Sequence, residues 1–72
     1  MFDYKYRALI SVCETGSFTK AAKALSLTQP AISNQMKAIE KELHIRLFYR
    51  NGGSLKLTPE GEIAAKYARR AI

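Results

Sequence analysis

Apolar residues recur at helical spacing through most of this chain, broken by a shorter period between residues 47 and 58. Phe2, Tyr6, Leu9, Ile10 and Cys13 fall at i, i+4, i+7, i+8 and i+11. That is one face of an α-helix and predicts a first helix from about Tyr4 to Glu14. Gly16 then stops it, because glycine takes a left-handed backbone without a Cβ clash. Ser17 is placed to cap a second helix, its hydroxyl accepting an otherwise unpaired backbone N–H. Phe18, Ala21, Ala22 and Leu25 mark that helix's buried face. The two alanines let another helix cross closely. Ser26-Leu27-Thr28 make a turn, with Leu27 expected to fill the space between the two helices it joins. Thr28 caps a third helix, and Pro30 in its first turn loses no hydrogen bond there. Ile32, Met36, Ile39 and Leu43 form the third helix's inward stripe. His44 follows, at a position where the backbone turns left-handed, which histidine tolerates less well than glycine.

The alternation then shortens. Leu47-Phe48-Tyr49-Arg50 and Leu55-Lys56-Leu57-Thr58 read as strands around Asn51-Gly52-Gly53-Ser54, a hairpin signal. Thr58-Pro59-Glu60 opens a last helix with a cap, a proline and a first-turn acid. Its apolar stripe is Ile63, Tyr67 and Ala71, with Ile72 beside it. The order helix, helix, helix, hairpin, helix defines a mostly α fold with a small β-hairpin, a winged helix-turn-helix. It comprises a three-helix core, a two-stranded wing at about 46–58 and the start of a further helix at 59–72. The helix-turn-helix lies at about 18–37, within a unit of residues 1–58. Internal repeats and low-complexity stretches are not evident.

A chain of 72 residues holds one domain. It buries only about 60% of its unfolded surface. One cysteine and one histidine provide neither a disulfide framework nor a metal cluster, so association is a natural further source of stability. Twelve Lys and Arg against six Asp and Glu give a net charge of +6, which favours an anionic partner. A membrane surface fits poorly, since the charge lies on several short elements broken by Gly and Pro. No apolar run is long enough to span a bilayer. No signal peptide opens the chain, and a lone cysteine fits a reducing cytoplasm.

The third helix, at about 28–42, carries the candidate chemistry. Its outward face runs Gln29, Ser33, Asn34, Lys37 and Lys41. Small amides and hydroxyls near a helix N-terminus suit base edges in a DNA major groove, and the lysines behind them suit phosphates. A polar face alone is equally an ordinary solvated surface; turn, wing and net charge together favour DNA. Gln29 and Ser33 are the best base readers. Lys37, Arg50 and Lys20 are the best phosphate contacts, with Thr28 a further one if it does more than cap. Lys5, Lys23, Arg46 and Lys56 serve phosphate or solubility, and Lys66, Arg69 and Arg70 solvent or a second subunit. Cys13 reads as a packed thiol. Tyr4, Tyr6, Tyr67 and the phenylalanines read as core, whereas Tyr49 faces out of the wing. His44 has no partner at metal-ligand spacing. No nucleophile-and-base set and no phosphate-binding glycine motif occurs, so neither catalysis nor a cofactor is expected. The rival readings are a winged helix used as a protein-interaction module and a general nucleic-acid binder.

The segments GSFTKAAKAL, TQPAISNQMKAIEKEL, RLFYR and LTPEG, in that order and spacing, resemble the N-terminal domain of LysR-type bacterial transcriptional regulators. The resemblance covers nearly the whole chain. It implies sequence-specific binding of double-stranded DNA in the cytoplasm, on the bacterial nucleoid, with an inverted-repeat operator read by a homodimer. By position, Gln29, Pro30, Ala31, Ser33 and Asn34 match the family's base- and backbone-contacting residues. Residues 1–58 match the family's DNA-binding domain, with Arg50 on its wing, and 59–72 match the start of the linker helix that pairs two subunits, with Ile63, Tyr67 and Ala71 as its dimer contact. Members also carry a larger effector-binding domain that takes a small molecule; it is absent from these residues, which are expected to be a fragment or a truncated form. Asn34 stands where arginine is common, which removes a charge or supplies an adenine reader. The uncharged Asn51-Gly52-Gly53-Ser54 replaces an arginine-rich wing tip, and His44 replaces a common glycine.

Overall fold

Capping side chains set where each helix begins in the computed structural model, which describes residues 4–49 and 55–71. The elements are α1 (Tyr4–Thr15), α2 (Phe18–Leu25), α3 (Gln29–Leu43) and α4 (Pro59–Ala71). Gly16 ends α1 at φ +70°, its N–H reaching Val12 O at 2.8 Å. Ser17 accepts from Lys20 N at 3.1 Å to start α2, and Thr28 accepts from Ala31 N at 3.2 Å to start α3. Thr58 does the same for α4, accepting from Gly61 N at 2.9 Å. Glu60 and Glu62 in the first turn of α4 and Arg69 and Arg70 in its last turn suit the helix dipole.

Two non-glycine residues take the left-handed conformation, Ser26 at φ 57° and His44 at φ 55°. His44 was expected there; Ser26 was not. Left-handed backbone costs an L-residue about 1–2 kcal/mol, part of which glycine returns through its larger unfolded-state entropy. His44→Gly is therefore expected to stabilise the domain by about 0.5–1 kcal/mol and raise Tm by about 2–8 °C. A thermal melt followed by circular dichroism measures this, and an unchanged or lower Tm contradicts it.

The core is built from Ala8, Leu9 and Val12 of α1, Ala21 and Ala22 of α2, Ile32, Met36 and Ile39 of α3, Leu47, and Ala64, Ala65 and Ala68 of α4. α1 touches all three other helices, so its buried arc is broad and centred on Ala8, Leu9, Ser11 and Val12. Ile10 and Cys13, predicted on the central stripe, are only half-buried, and Phe2 lies outside the described residues. Leu27 does not fill the α2–α3 gap. It is 39% exposed, whereas Ala21 and Ala22 of α2 are buried. Leu43, in the last turn of α3, also stays 41% exposed. Phe18 packs edge-on against Phe48, with ring centroids 5.6 Å apart, and joins α2 to the segment after α3.

That segment pairs with itself at one antiparallel bridge, Phe48 with Leu57. Tyr49 N to Lys56 O at 3.0 Å and Thr58 N to Leu47 O at 2.9 Å flank it. Among the described residues no strand extends beyond this bridge, so the shown fold is four helices. The predicted turn residues Asn51, Gly52, Gly53 and Ser54 lie outside the described residues.

α4 faces the core with Gly61, Ala64, Ala65 and Ala68. The apolar stripe expected at the dimer contact lies on the outer side: Ile63 is 56% and Tyr67 66% exposed, and Ala71 is exposed too. Small inward residues let the helix lie close to the body, and the larger apolar ones are left outside. No helix among the described residues is long and apolar enough to cross a membrane.

Candidate nucleic-acid interface

Ile32, Met36 and Ile39 anchor α3 in the core. The helical period then sends Pro30, Asn34, Lys37 and Lys41 to the opposite side, where all four are exposed. Thr28 and Gln29 are exposed at the helix start, and Ala31 and Ser33 are half-buried on its flanks. The structure thus brings Thr28, Gln29, Pro30, Ala31, Ser33, Asn34 and Lys37 onto one helix, with amides, hydroxyls and a proline first and lysines behind. No acidic residue lies in the first turn of α3, so its positive dipole end is unopposed there. The Thr28 oxygen caps Ala31 N, which leaves its O–H to donate outward. Lys20 and Lys23 are exposed on α2. Arg50 lies outside the described residues.

Tyr6 Oη donates to Glu42 Oε1 at 2.6 Å, and Lys5 Nζ lies 3.4 Å from the same oxygen. These contacts tie α1 to the far end of α3. A second tie was not foreseen. Glu40 Oε2 accepts from Leu47 N at 2.8 Å, joining α3 to the bridged segment. Thr58, foreseen only as a cap, also donates through its hydroxyl to Arg46 O. A charged residue late in a helix reads from sequence as solvated, so nothing marked Glu40. Gly61 had a usable signal, since a glycine inside a helix often marks close backbone approach.

Burial pushes the Cys13 thiol above its ordinary value; Arg69 opposes the shift and Glu14 adds to it. Its nucleophilic thiolate form is thereby disfavoured, as suits a packed thiol. Tyr49 faces outward as expected. Tyr4 and Tyr67, read as core, are exposed instead, because Tyr4 begins α1 at the domain's edge and Tyr67 lies on the outer face of α4. No group of three or more His, Cys, Asp or Glu is placed to hold a metal among the described residues.

Two short helices joined by a tight turn, the second anchored by three apolar residues and presenting an open polar face, define a helix-turn-helix domain. The chain belongs to the LysR family: residues 4–62 match the bacterial regulatory helix-turn-helix protein family of that name. It is 45% identical over 65 residues to an uncharacterised HTH-type transcriptional regulator of Azotobacter vinelandii, covering 90% of this chain and 45% of that protein. It is 44% identical over 62 residues to the HTH-type transcriptional regulator BenM of Acinetobacter baylyi, covering 86% of this chain and 20% of that protein. The chain therefore spans less than half the length of these relatives. Among solved structures it is similar to a BenM DNA-binding domain in complex with benA site 1 DNA, with TM-score 0.86 and 40% identity. That match covers 93% of this chain and 75% of the other. A CbnR DNA-binding domain in complex with DNA gives TM-score 0.86 at 36% identity, covering 93% and 77%.

Proposed function

We propose that this chain is the sequence-specific, double-stranded DNA-binding domain of a LysR-type transcriptional regulator. The observation that carries the reading is the division of α3 into a buried apolar stripe and an exposed face of Gln29, Asn34 and Lys37. α3 enters the major groove by its N-terminal half. Gln29, Ser33 and Asn34 face base edges, Pro30 and Ala31 allow close approach, and Thr28, Lys20 and Lys37 bind phosphate. The Phe48–Leu57 bridge is the base of a wing, with Arg50 a phosphate contact on it. The similarity to domains solved with DNA supports this reading, as does the charge of +6. The role is binding rather than catalysis, in the cytoplasm.

In the whole regulator, the outer stripe Ile63, Tyr67 and Ala71 meets the same stripe of a second subunit. Two α3 helices then read an inverted repeat in successive major grooves. A small-molecule effector belongs to a further domain of that longer protein.

The test is a titration against a pool of duplexes at low and moderate salt, followed by sequencing of the retained DNA. Salt-sensitive binding with an enriched sequence is expected. Salt-sensitive binding without enrichment refutes specificity, and no binding at low salt turns the reading to a protein-interaction module. Within the same assay, Lys37→Ala is expected to weaken all duplexes alike and lower the salt slope by about one unit. A changed base preference would instead place Lys37 at a base edge.

A further inference from the structure

Leu47 is held from four sides. Its side chain is fully buried. Its N–H donates to Glu40 Oε2 at 2.8 Å. Its carbonyl accepts from Thr58 N at 2.9 Å, and Gly61 packs directly against that carbonyl. Thr58 in turn bonds Arg46 O and Gly61 N through its one hydroxyl. One run of contacts therefore leads from α3 through the base of the bridged segment to the first turn of α4. Glu40 is its link to α3 through a side chain. Among the described residues, backbone hydrogen bonds from α3 reach no further than Ile45, whose N–H meets Glu40 O at 3.1 Å. Beyond Ile45, the register of Arg46 and Leu47 against α3 depends on the Glu40 carboxylate and on the burial of Leu47.

We propose that Glu40 is a positioning residue for DNA binding: its carboxylate fixes residues 46–49, and through the Phe48–Leu57 bridge residues 55–58, against α3, so that helix and bridged residues meet one duplex as a unit. The role rests on the DNA-binding reading above. Glu40 need not touch DNA. It acts by removing freedom from the segment that carries the exposed cations Arg46 and Lys56. A segment already in place loses less entropy on binding than one that must be ordered by the duplex.

A double-mutant cycle on the 72-residue chain tests this. In the parent, Arg46→Ala with Lys56→Ala is expected to lower the salt slope by about one to two units, and Lys37→Ala by about one. In the Glu40→Ala background the Arg46/Lys56 effect is expected to shrink to near zero, while the Lys37 effect remains. Glu40→Gln keeps an acceptor oxygen and is expected to restore the parent pattern. Glu40→Asp draws the carboxylate back by one methylene and carries the same cycle if Glu40→Ala does not fold. An Arg46/Lys56 effect of equal size in both backgrounds overturns the proposal, as does joint loss of the Lys37 effect, which would indicate general loss of structure. An absent Arg46/Lys56 effect in the parent also overturns it, while leaving the α3 reading standing. Absence of salt-dependent binding by the parent overturns the DNA reading itself.

Discussion

Gly61→Ala is expected to destabilise the domain by about 3 kcal/mol, beyond what a helix-favouring substitution returns. Alanine is ordinarily the better residue inside a helix, so the expected sign is opposite to the propensity rule. A Cβ at this position would collide with the Leu47 carbonyl oxygen, and would lie 3.0 Å from both the Leu47 carbonyl carbon and Leu57 Cδ2. The Leu57 methyl can move; the Leu47 carbonyl cannot, because it is bonded to Thr58 N. The first turn of α4 must therefore lift away, taking the Thr58–Gly61 bond with it. In a domain of this size a loss of 1 kcal/mol lowers Tm by about 4–8 °C. Thermal unfolding of Gly61→Ala is expected at least 12 °C below the parent, and a Tm within 2 °C would show that α4 is not seated as described.

Ile39→Ala is expected to have the other large effect, a loss of about 2–5 kcal/mol. Ile39 is fully exposed to none of the solvent and packs within the core cluster with Leu9, Val12, Ile32 and Leu47. Removing its side chain leaves a cavity where α3 meets its neighbours. Stabilities of small domains lie near 5 kcal/mol, so much of the population would unfold at growth temperature. Urea unfolding at 25 °C would measure this as a lower midpoint with an unchanged slope. An unchanged midpoint would mean that α3 is anchored elsewhere.

The local signals in the sequence were read correctly where one side chain meets its own backbone. Ser17, Thr28 and Thr58 each cap the helix assigned to them, because a hydroxyl and an N–H three residues on need nothing from the rest of the fold. The polar face of α3 followed from its period for the same reason. Readings that needed a distant partner did worse. The inward face of the last helix went unread, because hydrophobicity ranks Ile63 and Tyr67 above Gly61 and Ala64. The packing prefers the small residues, since they allow the backbones to approach. Ser26 gave no sign of left-handed backbone, as serine does not announce it the way glycine does. Glu40 was invisible because its partner is a backbone N–H seven residues on, in a segment without regular structure.

The separation of duties along α3 has a consequence for how such a domain diversifies. Ile32, Met36 and Ile39 carry the packing, whereas Gln29, Asn34 and Lys37 stand exposed and bear little of it. Surface substitutions of that kind usually alter stability by no more than about 0.5 kcal/mol. The outward positions can therefore be exchanged one at a time without passing through an unfolded intermediate. One scaffold can acquire many target sequences while its interior stays unchanged.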